Sequence, residues 1–241
     1  MAYKHAIVVG ASSGIGAELA KQLLESGCRV ALVARRRDKL EAIAATFPDA
    51  AVVAEHDVHD TAAVPALFQD LCKQLGGLDL VVYASGVMPP VGMHEYDTAK
   101  DLEMVAVNLN GAIAWLNEAA VRFEGVKAGT IVGIGSVAGD RGRSGQPVYN
   151  TTKAALATYL EALRNRLAKL GVTVVTIKPG PTQSEMTAHM PQAKMMPADE
   201  AARRILAKSR RTGEHYLSPA HAVIFFVIRH VPSWLFRRTK I

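Results

Sequence analysis

Cysteine is scarce in this chain. Cys28 and Cys72 are the two in 241 residues, and neither has a histidine or a second cysteine at ligand spacing. That excludes a disulfide framework and a cysteine-histidine zinc set. No metal is expected, and both thiols should be free and buried, in a reducing compartment. Long apolar runs are missing too, since none reaches the ~18–20 residues that a spanning helix needs. No linker, internal repeat or low-complexity stretch divides the sequence, so residues 1–241 read as one domain. The first expected strand opens at His5, which leaves no room for a cleaved leader and makes a cytoplasmic location the expectation. Charge is mixed, with 28 basic against 22 acidic residues. The excess basic groups gather toward the C-terminal end. No long basic arm or basic-aromatic interleaving points to nucleic acid.

What is present is alternation. Short runs rich in Val and Ile predict strands at His5–Val9, Arg29–Ala34, Ala51–His56, Leu78–Ala84, Thr130–Gly135, Val172–Lys178 and His215–Leu217. They are apolar on both faces, as buried parallel strands must be. Between them the pattern predicts helices at Ile15–Ser26, Arg37–Phe47, Thr61–Leu75, Thr98–Phe123 and Val148–Leu170. The last carries Leu156, Leu160, Leu163, Leu167 and Leu170 on one stripe. Such alternation implies right-handed βαβ units and an α/β fold, a Rossmann-like doubly wound parallel sheet of about seven strands with helices on both faces.

The first strand runs into Gly10-Ala11-Ser12-Ser13-Gly14-Ile15-Gly16. Glycines there allow close backbone approach, and a helix N-terminus offers free amides and a positive dipole to a pyrophosphate. The residue after the second strand of such a sheet lies at the adenosine ribose, where NAD users commonly place an acid. Here Ala34 is followed by Arg35, Arg36 and Arg37. A guanidinium favours a 2′-phosphate through charge-assisted hydrogen bonds, so NADP(H) is expected over NAD(H). The alternative, a solvated basic helix start, fits Arg37 best and Arg35 least. Asp57 and Val58 follow the third strand and are placed at the adenine. Ala84, Ser85 and Gly86 follow the fourth and are placed along the adenosine side.

Ser136, Tyr149 and Lys153 form the second signal. Ser136 ends an expected strand, while Tyr149 and Lys153 open a long helix one turn apart on one face. A phenol beside an ammonium group can deliver a proton to a carbonyl oxygen, and a nearby hydroxyl can orient that carbonyl. Tyr96 and Lys100 repeat the spacing, but in a polar, turn-like stretch without the serine, and read as ordinary surface.

On these motifs, together with Asn108 and Pro179-Gly180, the chain resembles the short-chain dehydrogenase/reductase family over roughly residues 5–218. The resemblance implies a nicotinamide cofactor and reversible oxidation of alcohols to ketones. It implies that Lys153 and Tyr149 also hold the nicotinamide ribose and that Asn108 keeps a water for proton relay, with Asn110 the competing assignment. It places Pro179, Gly180, Thr182 and Ser184 beside the nicotinamide, and it implies a homo-oligomer, dimer or tetramer. Three positions depart from the family pattern: Val9 replaces the usual Thr, Tyr83-Ala84-Ser85-Gly86 replaces Asn-Asn-Ala-Gly, and Ser184 stands where a Thr bonds the nicotinamide amide.

Residues 180–197 are expected to form a flexible lid, with Met186, Met190, Met195 and Met196 as an adaptable apolar lining or as core. Val87-Met88-Pro89-Pro90-Val91 would extend that wall, so a hydrophobic carbonyl or alcohol is the expected substrate. An apolar-basic extension, about residues 219–241, holds seven apolar residues from Ala222 to Ile228, then Trp234-Leu235-Phe236 and Arg237-Arg238. It is too short to span a bilayer. An interfacial helix with peripheral membrane contact, a subunit contact and a pocket flap are its three readings. Three functions compete: an NADP(H)-dependent carbonyl reductase or alcohol dehydrogenase, a catalytically silent cofactor-binding sensor or scaffold, and a membrane-surface assembly protein.

Overall fold

The computed structural model describes residues 2–239. The apolar runs become seven strands, β1 (His5–Val9), β2 (Arg29–Ala34), β3 (Ala51–Glu55), β4 (Leu80–Tyr83), β5 (Gly129–Ile134), β6 (Val172–Lys178) and β7 (Gly213–Tyr216). All pair in parallel, in the order β3-β2-β1-β4-β5-β6-β7. The winding reverses between β1 and β4, and the crevice at such a switch point is where ligands bind in sheets of this kind. The fold is Rossmann-like.

Helices α1 (Gly14–Glu25), α2 (Arg37–Ala44), α3 (Val64–Leu75), α4 (Thr98–Val105), α5 (Gly111–Val126), α6 (Pro147–Leu167) and α7 (Ala198–Lys208) cover the sheet, and α8 (Pro219–His230) and α9 (Ser233–Phe236) follow it. Alternate residues of each strand enter opposite cores. Ile7, Val9, Val33 and Val81 meet Phe68, Trp115 and Leu160 from α3, α5 and α6. Val8, Leu32 and Val82 meet Leu19, Leu40 and Ile205 from α1, α2 and α7.

Most expected boundaries hold to within a few residues, and the exceptions have local causes. The helix expected over Thr98–Phe123 is interrupted by a π turn at Ala106–Asn110 and then runs on to Val126. α3 starts at Val64 rather than Thr61, with Pro65 in the first turn where its missing N–H costs nothing. α2 stops at Ala44 instead of Phe47, α6 at Leu167 instead of Leu170, and β7 begins two residues and ends one residue earlier than expected. Both cysteines are free and buried. Burial, helped by the nearby Asp79 charge, pushes the Cys28 thiol up to about 12.

The expected extension is two helices folded back on the segment that follows β5. Phe225, Ile228 and Phe236 bury Val137. Arg229 pairs with Asp140 and Glu214. The buried Lys178 ammonium lies 2.5 Å from Asp140 and 2.8 Å from Glu214, and Tyr216 donates to Asp140 at 2.9 Å.

One close approach sets the height of α6 above the sheet. A Cβ on Gly133, in β5, would overlap the Leu160 side chain. Gly133→Val should therefore lower unfolding free energy by about 1–3 kcal/mol, the usual cost of overpacking a filled core. Urea titration checks this, and an unchanged midpoint would mean that α6 is not seated on that glycine.

Candidate active site

β1 ends at Val9, and the turn to α1 needs glycine for steric reasons. Gly10 and Gly14 have φ of +92° and +54°, and a Cβ on Gly10 would lie 2.6 Å from the Ser85 nitrogen. A Cβ on Gly16 would run into the Gly10 carbonyl. Ala11 is buried and Ile15 partly so, packed into the α1 side of the core. The main chain ties this turn to its neighbours: Gly10 N donates to Val33 O at 2.8 Å and Ala84 N to Val9 O at 2.8 Å. The missing Thr at Val9 therefore leaves the turn still fastened to β4.

Ser13 is the N-cap of α1, yet its side chain caps no amide and the first turn carries no acid. Arg36 lies over the same turn, donating to Ser12 Oγ at 3.0 Å and Ser13 Oγ at 2.8 Å. Its third partner is Glu185, at 2.6 Å. Free helix amides, two hydroxyls and a guanidinium form a donor set suited to phosphate. Arg35 instead points toward Asp57, 3.8 Å away. Asp57 also accepts from the His59 main chain at 3.1 Å, while its Oδ1 lies 2.7 Å from His59 Nδ1. The sequence ranks Arg35 above Arg36 as the phosphate ligand, whereas the fold brings Arg36 to the turn.

β5 delivers Ser136, whose hydroxyl caps the 3-10 turn Val137–Asp140 by accepting from Ala138 N at 3.1 Å. That turn lies directly against α6, since a Cβ on Gly139 would be 2.7 Å from the Lys153 carbonyl carbon. Ser136 is thereby held beside the Tyr149 phenol. Burial pushes the Tyr149 pKa up, while the Ser136 hydroxyl and the Arg143 guanidinium pull it back. Lys153 is buried and donates to Ile134 O at 3.0 Å, with its ammonium 5.7 Å from the Tyr149 ring centre. Burial lowers its pKa to about 8.

The π turn presents Asn108, which is fully buried. Its Oδ1 accepts from Val87 N at 2.7 Å, and its Nδ2 donates to Val87 O at 3.0 Å and to Thr152 Oγ1 at 3.2 Å. Asn108 thus joins the segment after β4 to α6 next to Lys153. Asn110 lies exposed. Tyr83, one of the departures from the family pattern, donates to Val107 O at 2.6 Å and so braces this turn. A Cβ on Gly86 would sit 3.3 Å from Asn108 Oδ1 and 3.5 Å from Lys153 Nζ. The glycine leaves an open cradle there.

The segment after β6 closes the other side. Ser184 caps the 3-10 turn Glu185–Thr187, and its Cβ stands 3.1 Å from where a Cβ on Gly14 would be. Thr182 is buried, donates to Gly180 O at 3.1 Å and forms an isolated parallel bridge with Met196. Pro179 accepts from Val137 N at 3.0 Å, and the His221 ring of α8 occupies the space beside Gly180. The lid is therefore pinned at its base. Of its methionines, Met195 is core and Met196 packs against core, Met190 is at the surface, and Met186 reaches toward Gly86.

A model of the short chain dehydrogenase family matches residues 4–195. The chain belongs to this family. A Myxococcus xanthus (strain DK1622) protein described as an oxidoreductase is 37% identical over 191 residues, covering 78% of this chain and 76% of that protein. Among solved structures, a short-chain dehydrogenase from Streptomyces avermitilis aligns with TM-score 0.85 at 22% identity, over 94% of this chain and 92% of that one. ElxO, solved with NADP bound, aligns with TM-score 0.82 at 21% identity, over 92% and 99%. As a short-chain dehydrogenase the chain is an oxidoreductase with a nicotinamide cofactor. The Gly10–Gly16 turn, the bare α1 N-terminus and the Gly86 cradle are a donor set and a space that fit one.

The fold gathers Ser136, Tyr149, Lys153 and Asn108 at the C-terminal ends of β4 and β5. Val58, Ala84 and Ser85 lie along the same edge, with Val58 packed near Gly111 and Ala84 near Gly16. Sequence reasoning missed Glu185, Arg143 and Gln146. The first has no signal in spacing. Gln146 holds φ +58° just before Pro147 and donates to Pro89 O at 3.1 Å, and a proline does disfavour ordinary helical geometry in the residue before it.

A lysine whose folded pKa is lowered stays protonated longer in the unfolded chain. Between pH 8 and about 10.5 the unfolded state holds the extra proton, so stability rises with pH. The cost of the buried charge is fully present below pH 8 and gone above about 10.5. Denaturant titrations across that range should show this rise in wild type and lose it in Lys153→Met. Parallel slopes would mean that Lys153 is not held charged against burial.

Proposed function

We propose that this short-chain dehydrogenase is an NADP(H)-dependent reductase, or alcohol dehydrogenase in reverse, acting on the carbonyl or secondary alcohol of an apolar small molecule. The observation that carries this reading is the buried Tyr149 phenol with the Ser136 hydroxyl in hydrogen-bond reach and the Lys153 ammonium 5.7 Å from its ring centre. A bound nicotinamide supplies or accepts the hydride. Tyr149, a phenol with an ordinary pKa of about 10, holds its proton at neutral pH and has it to give to a carbonyl oxygen. The Lys153 ammonium stabilises the phenolate left behind. Ser136 donates to the carbonyl oxygen and orients it. Asn108 acts as a positioning residue, because both ends of its amide are engaged within the chain.

The apolar rim supports the substrate class. Met104, Ala138 and Tyr149 pack with Val87, Met88, Val91 and Val148, which supports an apolar wall beside the phenol. The cofactor preference rests on Arg36, Ser12 and Ser13, on the absence of an acid at Ala34–Arg35, and on the NADP bound by ElxO. We assign Arg36 as the principal 2′-phosphate ligand, with Arg35 and Asp57 flanking the adenine. Pro179, Gly180, Thr182 and Ser184 lie beside the nicotinamide half. Ser184 must exchange its contact with Thr187 to reach the amide. A single domain is supported by the one sheet that both cores share. The exposed Leu102, Val121 and Val126 of α4 and α5 offer a surface for homo-oligomer formation. Free buried thiols suit a cytoplasmic setting.

Tyr149→Phe should keep NADPH binding, followed by fluorescence, and lose turnover of apolar ketones by about 10²-fold or more. Turnover near wild type would sink the mechanism. Arg36→Ala should weaken NADPH on the order of 10-fold or more while leaving NADH unchanged. Glu185→Gln should do the opposite and tighten NADPH, because Glu185 competes for the same guanidinium. Equal effects on the two cofactors would remove Arg36 from the phosphate site.

A further inference from the structure

Helix α8 is apolar in an unbroken run from Ala222 to Ile228, so apolar side chains face outward as well as inward. Its inner stripe, His221, Phe225 and Ile228, covers Gly180 and Val137. Its outer side is bare: Val223 is 66% exposed, Phe226 65% and Val227 56%, and Trp234 of α9 adds 58%. Arg229 is spent on Asp140 and Glu214, which fixes the helix in this orientation. The outer side is therefore a built feature of the fold.

Its surroundings say what covers it. From His215 to Ile241 the sequence holds no acidic residue, while Arg229, Arg237, Arg238 and Lys240 all lie there. Arg237 and Arg238 are exposed, and the Arg238 guanidinium sits 5.8 Å from the Trp234 ring centre. A second copy docking here by two-fold symmetry would set these like charges face to face with no acid of the segment to answer them. An anionic lipid surface meets both demands, taking the apolar stripe into the acyl boundary and the tryptophan and arginines at headgroup depth. None of the described helices is long and apolar enough to cross a membrane, so the contact is peripheral.

We infer that the outer face of α8 and α9, centred on Phe226, Val227 and Trp234 and flanked by Arg237 and Arg238, is a docking surface for anionic lipid bilayers. The inner face of the same helix walls the segment that carries Ser136 and Gly180. On the proposed reading of the site, docking sets the pocket beside the phase in which an apolar carbonyl compound dissolves.

The test is flotation of the full chain with vesicles of phosphatidylcholine, with and without about 30% phosphatidylglycerol to supply the anionic surface. Wild type should float with the anionic vesicles and far less with the neutral ones. The double variant Arg237→Ala, Arg238→Ala should lose on the order of 30-fold in binding, the worth of two basic residues near such a surface. The double variant Phe226→Asp, Val227→Asp should stay at the bottom of the gradient. Unchanged NADPH binding and circular dichroism show that the variants fold. Wild type that fails to float, or aspartate variants that float as well as wild type, would overturn the inference. So would a dimer in sedimentation that the aspartate variants split while vesicle binding is absent. Flotation is read without substrate. Binding to vesicles without carbonyl turnover leaves this inference standing and sinks the reductase reading, and the converse result sinks only this one.

Discussion

The site turns on a buried cation with no anion of its own. Lys153 lies inside the protein, bonded to the Ile134 carbonyl, and among the described residues it makes no ion pair. A lone ammonium is costly to bury, which is why its pKa falls to about 8. Tyr149, one helical turn back, is the neighbouring group able to become negative. In the proposed reaction, the phenolate formed when Tyr149 gives up its proton is the partner the ammonium lacks. On that proposal, the cost carried by the resting protein is relieved as the proton leaves. Lys153 is where fold stability and proposed chemistry meet.

The rest of the architecture keeps that pair in place. Gly133 lets α6 settle on β5, and Gly139 lets the turn after Ser136 lie against α6 at Lys153. Asn108 ties the chain after β4 to Thr152, the residue before Lys153. The buried Asp140–Lys178 pair, joined at the surface by Glu214 and Arg229, locks the C-terminal helices onto the far side of the Ser136 segment. Each of these contacts holds in place a segment that carries Ser136, Tyr149 or Lys153.

The sheet was legible because buried parallel strands leave an unmistakable trace: β1, β2 and β6 match the Val-rich runs residue for residue. Ser136, Tyr149 and Lys153 were legible because their spacing maps onto a strand end and one helical turn. The π turn was not, since the apolar pattern of α4 continues through Ala106–Asn110 and the irregularity is held from outside the helix, by Tyr83 at Val107 and by Val87 at Asn108. The ranking of Arg35 over Arg36 rests on chain position alone. Chain position says which residue follows the strand, but which guanidinium turns inward depends on Ser12, Ser13 and Glu185, distant in sequence. The lid methionines divide between core and site because the Thr182–Met196 bridge pins one end of the loop into the fold. No periodicity in a loop announces such a pairing.

The most direct test of the coupling between Lys153 and Tyr149 is an ultraviolet difference titration of tyrosinate in wild type, Tyr149→Phe and Lys153→Met. One tyrosine should be present in wild type, missing in Tyr149→Phe and moved to higher pH in Lys153→Met. A Tyr149 signal at the same pH with and without the lysine would contradict the account, because the ammonium would then do nothing for the phenolate.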